Sequence, residues 1–298
     1  MGVPFRVRLA QMLERHGTPL CVGLDPDPER LPDDLRNQAP SEALHPFLEG
    51  IVAATAPHAS AYKMQLASYL AFGPEGIRVL ADVTRRCSTT HLTILDLKAG
   101  DIPHTMGLYR RAAFGSFGFD AMTVNPFLGW EVVEEAARDP ARGVFVLLHT
   151  SNPGAKDVQE MLVGGRPLWH HLLDGLRMRS REGNVGAVVG ATYPEAVAHA
   201  RRELGDAVPL LIPGVGSQGG DLGAICRAAR VNFLVNSSRS ILHASSGSDW
   251  REAAAREAER LSAQMKEIVG GPGTSPRSGP PRSPSGTSGE RSPGPSRP

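Results

Sequence analysis

Between residues 19 and 238, short apolar runs rich in Val, Ile and Leu alternate with longer stretches whose apolar residues recur every three to four positions. The first pattern fits buried strands and the second fits amphipathic helices lying on a sheet. Eight strands are predicted, over residues 20–25, 59–65, 93–98, 121–125, 143–150, 185–191, 210–215 and 232–236. Helices are predicted between them, at 41–56, 75–86, 130–138 and 194–204, with a last one over 249–268. Strict β-then-α alternation calls for a parallel sheet, and eight such units in this length predict an α/β fold closed as a single (β/α)8 barrel rather than an open doubly wound sheet. The expected organisation is a barrel domain over residues 1–270. Residues 271–298, almost wholly Pro, Ser, Gly, Thr and Arg, form a tail that cannot bury a core and is expected to be disordered.

Composition narrows the function classes. A formal net charge of +1 provides no overall field for nucleic acid or an anionic membrane, so a charged ligand must be held locally. Cys21, Cys87 and Cys226 are far apart and odd in number, which gives neither a disulfide framework nor a cysteine metal site. No apolar run is long enough to span a bilayer, and the first residues lack the apolar centre of a signal peptide. A cytoplasmic protein is expected. Of 32 basic residues 28 are arginine, leaving only Lys63, Lys98, Lys156 and Lys266 as lysines. An ammonium can release its proton whereas guanidinium effectively cannot, so a lysine kept inside such a chain draws attention to proton transfer. Lys266, on a charged helix, reads as a solvated surface residue.

Barrel chemistry collects at the carboxyl ends of the strands. There the third strand reads Thr93-Ile94-Leu95-Asp96-Leu97-Lys98. A period of two sends Leu95 and Leu97 towards the helices and Asp96 and Lys98 into the barrel, where charge is tolerated only when paired. One such pair is often purely structural. Here charge recurs at neighbouring strand ends: Asp25 closes the first strand, Lys63 lies in the second, and Asp101 follows the third across a glycine-containing turn. The Gly219-Gly220 turn beside Gln218 offers backbone N–H donors to a phosphate, and Arg239, just past the last strand, adds a bidentate cation. His170 and His171 are adjacent on one helix and cannot share a ligand, and His149 reads as part of a hydrogen-bond network near Ser151. No metal site is expected. The stretch over residues 155–166 reads as a loop, either a surface connection or a lid.

The run from Asp96 to Thr105, D-x-K-x-x-D-I-x-x-T, resembles the signature of the orotidine 5′-phosphate decarboxylases. In order along the chain, Val22-Gly23-Leu24-Asp25, Tyr62-Lys63-Met64-Gln65, Thr150-Ser151-Asn152-Pro153-Gly154, Pro213 to Asp221 and Asn236 to Ser240 resemble further segments of that family, most closely its longer bacterial branch. Ala99 and His104 depart from its usual residues. The resemblance implies conversion of orotidine 5′-phosphate (OMP) to UMP with no cofactor. It implies Lys98 as proton donor, Asp96 and Lys63 as its charged partners, and Asp25 on the ribose. Ser151 would bond the pyrimidine, Pro213 would lie near its ring, and Gln218, Gly219, Gly220 and Arg239 would hold the phosphate. Asp101 and Thr105 would reach the ribose bound to a second subunit, which implies a homodimer with shared sites. Two competing readings of the same residues are a magnesium-dependent sugar-phosphate decarboxylase or aldolase, which needs a further carboxylate ligand, and a non-catalytic nucleotide-binding barrel.

Overall fold

The computed structural model describes residues 2–180, 183–215 and 221–270. The proposed phosphate-loop residues Gln218, Gly219 and Gly220 and the expected tail over 271–298 lie outside the described residues. Eight parallel strands close a barrel: β1 (Leu20–Gly23), β2 (Ala61–Gln65), β3 (Leu92–Ala99), β4 (Ala121–Val124), β5 (Gly143–His149), β6 (Val185–Val189), β7 (Leu210–Pro213) and β8 (Phe233–Ser237). They follow one another around the ring in chain order, and β8 pairs with β1 through Leu20↔Val235, Cys21↔Asn236 and Val22↔Ser237. Each expected strand is present, displaced at its ends by one or two residues.

The helices form where the pattern places them, and their ends carry the expected chemistry. Gly73–Ser88 has Pro74 and Glu75 in its first turn and Arg85 and Arg86 in its last, which suits both the missing proline N–H and the helix dipole. Its buried residues Gly76, Val79, Leu80, Val83 and Cys87 make one stripe against the sheet. Leu222–Ala229 is capped by Asp221, whose carboxylate accepts from Ala224 N–H at 3.0 Å. The last helix, Trp250–Gly270, closes the outer ring, with Trp250 buried against Phe47 of Pro40–Thr55.

Two apolar layers result. Outward-facing strand residues and the helices form the larger one. Inside the ring, Cys21, Ala61, Leu92, Ile94, Ala121, Phe145, Val188, Leu211 and Leu234 pack together with Phe5 and Leu9. The last two belong to an N-terminal helix, Phe5–His16, which the sequence reading left unassigned. It sits across the amino-terminal end of the strands, with the Phe5 ring edge-on to Phe145 at 5.9 Å between centroids, and so fills the barrel floor. The opposite, carboxyl-terminal end remains open. No described helix is long and apolar enough to cross a membrane.

Candidate active site

At the open end lies a cavity of about 800 Å³, lined among others by Asp25, Lys63, Asp96, Lys98, Ser151, Pro213 and Arg239. Seven of the expected site residues thus meet at one mouth. β1 and β2 set the first two charges. Lys63 Nζ lies 3.4 Å from both carboxylate oxygens of Asp25 and 2.9 Å from Asp96 Oδ2. Lys98 Nζ lies 2.7 Å from Asp96 Oδ1. The charges therefore alternate along the rim as Asp25, Lys63, Asp96, Lys98, each neighbouring the opposite sign.

Surrounding groups fix this array. Thr123 of β4 donates to Asp96 Oδ1 at 2.8 Å, and its oxygen accepts from Lys98 N–H at 2.9 Å, so one side chain ties both the carboxylate and the backbone of the lysine. Asp25 accepts from Gln65 N–H at 2.9 Å and from Ser238 O–H at 2.7 Å. Gly23 makes that last bond feasible, because a Cβ there would stand 1.8 Å from Ser238 Oγ. Burial alone would lower the pKa of Lys63, but the carboxylates of Asp25 and Asp96 outweigh it and hold the ammonium above its ordinary range. For Asp96, burial works to raise the pKa, yet Lys63 and Lys98 together hold the carboxyl well below the usual carboxylate range. Lys63 and Asp96 are thus both ionised at neutral pH.

Lys98 departs from simple alternation. Its φ is 49°, in the left-handed region, and the β3–β4 register shifts between Leu95 and Ala99. A bulge of this kind re-aims a side chain at a strand end. The Lys98 side chain is 42% exposed while that of Lys63 is 4% exposed, so the first ammonium faces the open cavity and the second is sealed beneath it. Leu97, expected to pack outward, does so while half-buried.

Asp101 and Thr105 are not brought into this cavity. Asp101 Oδ1 accepts from Ile102 N–H at 2.8 Å, and neither residue lines the pocket. His149 is buried outside the ring, its Nε2 3.1 Å from Glu160 Oε1, rather than joined to Ser151. Burial lowers its pKa, against the opposing pull of Glu160. Among the described residues no group of three or more His, Cys, Asp or Glu is arranged to hold a metal ion. Sequence reasoning missed Thr123 and Ser238, although both are polar residues near strand ends and would have been found by applying the strand-end rule to every strand. It also missed Asn152 and Gln159, which line the cavity from the loop after β5.

An eight-stranded parallel barrel with a charged array in an open carboxyl-terminal mouth defines an enzyme of the (β/α)8 class. The chain belongs to the orotidine 5′-phosphate decarboxylase / HUMPS family, whose profile matches residues 18–257. It is 44% identical over 272 residues to the orotidine 5′-phosphate decarboxylase of Thermomicrobium roseum, covering 89% of this chain and 95% of that one. Among solved structures it is similar to Leishmania donovani OMP decarboxylase, with a TM-score of 0.74 and 31% identity over 89% of this chain and 99% of that one. It is also similar to Leishmania donovani UMP synthase, with a TM-score of 0.78 and 32% identity over 90% of this chain, but spans only 57% of that longer protein.

Proposed function

We infer that this protein decarboxylates OMP to UMP, with its own side chains supplying the chemistry. Family membership carries the reaction. The observation that carries the assignment of roles is the Lys98 ammonium, held 2.7 Å from Asp96 and facing the cavity. When the bond from C6 to the carboxylate breaks, its electron pair stays on C6 as carbon dioxide departs. That sp² carbanion has no adjacent π system to spread into, so a fixed cation beside it is the available stabiliser. Two unit charges about 4 Å apart interact by about 4 kcal/mol at an effective dielectric near 20. Lys98 Nζ then gives its proton to C6, and a proton from solvent restores the ammonium. Asp96 and Thr123 hold the lysine in place. Lys63 bridges Asp96 and Asp25, whose long 3.4 Å contacts to the ammonium leave the carboxylate room to accept from a ribose hydroxyl. Ser151 bonds the pyrimidine, Pro213 lies beside its ring, and Arg239 takes the phosphate together with Gln218, Gly219 and Gly220.

A homodimer gives a place to Asp101 and Thr105, which are not among the described residues that line the cavity of one chain. Around them Ile102, Leu108, Tyr109, Phe127 and Leu128 are exposed on the consecutive segments that follow β3 and β4, a patch suited to a second copy. Three free, buried cysteines fit a reducing cytoplasm. The test is to follow pyrimidine absorbance after mixing the protein with OMP in excess EDTA. Turnover should persist, and its loss would favour the magnesium-dependent reading. Lys98→Ala should abolish turnover by several orders of magnitude while still binding UMP, and a variant as fast as its parent would remove Lys98 as proton donor.

A further inference from the structure

The cavity extends past the residues assigned to OMP. Its wall beside β1 and β8 is built by Asp27, Pro28 and Arg30 from the segment after β1 and by His243 from the segment after β8. The two segments adjoin because β8 pairs with β1. Arg239 opens the short helix Arg239–Leu242, and His243 N–H donates to Arg239 O at 3.2 Å. Residues four apart on a helical turn share a face, and both of these line the cavity.

Among the described residues, the side chains of Arg30, Arg239 and His243 make no hydrogen bond or ion pair. The acids of the segment after β1 are engaged elsewhere. Asp27 Oδ1 accepts from Glu29 N–H at 3.0 Å and so caps the turn Pro28–Arg30. Asp33 pairs with Arg36 at 2.8 Å, Asp34 accepts from Trp250 Nε1 at 3.1 Å, and Glu29 does not line the cavity. Burial lowers the pKa of His243, and the Arg30 and Arg239 charges lower it further against the opposing Asp27, so both guanidiniums act on this ring from close by. Two guanidiniums and an imidazole that face one cavity without a paired carboxylate are complementary to an anion.

The number of donors indicates which anion. In the proposed reaction the 5′-phosphate of OMP is taken by Arg239 with Gln218, Gly219 and Gly220, enough donors for three terminal oxygens. Arg30 and His243 are left over. A second phosphate, joined to the first through one oxygen, reaches only side chains that neighbour Arg239, and these two do. We propose, on the decarboxylase reading that places the first phosphate, that Arg30 and His243 form a second phosphate subsite and that the cavity takes a nucleoside 5′-diphosphate. The ligand of this class with the product's base is uridine 5′-diphosphate (UDP), one phosphoryl transfer beyond UMP. It competes with OMP, because both fill the ribose and first-phosphate positions, and it restrains the enzyme when phosphorylated product accumulates.

The test measures inhibition of OMP turnover by UMP and by UDP, at constant ionic strength and in EDTA so that no metal bridges the phosphates. In the parent UDP should inhibit at least as strongly as UMP. Arg30 is exposed, so replacing it leaves the core untouched. Arg30→Gln should weaken UDP about tenfold while UMP inhibition and KM for OMP stay within about twofold. His243→Gln should weaken UDP several-fold, and Arg30→Lys, which keeps the charge without the fork, should recover most of the loss. A parent in which UDP is more than about tenfold weaker than UMP would overturn the subsite. So would Arg30→Gln if it left UDP unchanged, or if it weakened both nucleotides alike and so assigned Arg30 to the first phosphate. A parent that neither consumes OMP nor binds UMP would instead sink the decarboxylase reading, and the subsite with it.

Discussion

Lys98 is held in a backbone conformation that a side-chain-bearing residue seldom adopts, and Thr123 secures it there by accepting its N–H. Strain of this sort is kept only where neighbouring bonds over-determine it. The same economy of space operates at Gly23. Gly23→Ala should drive Ser238 away from Asp25, weaken UMP binding and lower stability by about 1–3 kcal/mol, read by calorimetry and thermal melting. The charge array also has a pH signature. Asp96, with its pKa depressed on folding, contributes stability that is present above the unfolded value of about 4 and is lost as pH falls through the lower folded one. Lys63, with its pKa raised, contributes below the unfolded value of about 10 and loses that contribution as pH rises through the folded one. These two groups therefore contribute no slope between those limits, and Asp96→Asn should shallow the acid side of a profile of denaturant midpoints. Sequence alternation was enough to send Asp96 inward, since the period of a strand depends on the strand alone. The turn of Lys98 was not legible, because a bulge is a property of two strands in register, and β4 meets β3 from more than twenty residues away.

At the level of elements, the loop after β5 is fastened twice. Thr150 is bonded to Gln159 while its neighbour His149 is bonded to Glu160, so two adjacent residues of the strand end grip two adjacent residues of the loop. Expected as a loop, either a surface connection or a lid, this segment contains a helical turn, Ala155–Val158, and a small hairpin, Leu162–Val163 with Arg166–Pro167. Gly164 and Gly165 at the hairpin tip both have positive φ, as a two-residue hairpin turn of this kind requires. Because burial keeps His149 neutral in the fold, the unfolded chain takes up a proton first as pH drops through about 6.5, and stability declines below that point. His149→Gln should remove part of that decline, seen as a smaller drop in Tm between pH 7 and pH 5; His91, His170, His199 and His243, shifted the same way by burial, contribute as well. Just past β6, Gly190 lets the Ser151 backbone approach so closely that a Cβ would lie 2.6 Å from Ser151 N. Gly190→Ala should therefore displace Ser151 and reduce kcat/KM in the turnover assay.

For the molecule as a whole, the sequence conveyed the eight-fold repeat because every unit prints the same apolar rhythm, whereas the floor helix was invisible: its apolar stripe is short, and only ring closure shows what it covers. Removal of residues 271–298 should leave Tm and turnover unchanged, since a stretch almost wholly of Pro, Ser, Gly, Thr and Arg offers little apolar surface to bury. If the proposed homodimer forms, Phe127→Asp, placed in the exposed patch after β4, should lower the mass found by sedimentation and depress turnover; a parent that sediments as a monomer would remove the dimer reading.

The helix wedged under the ring by Phe5 and Leu9 plugs its amino-terminal end, so among the described residues the cavity opens at the carboxyl-terminal mouth. Under the proposed reaction, carbon dioxide released at C6 leaves through the same mouth that admits the nucleotide. A bulky substituent at the doorway would then slow the escape of both products together, and burst-phase kinetics would report the delay as one shared step.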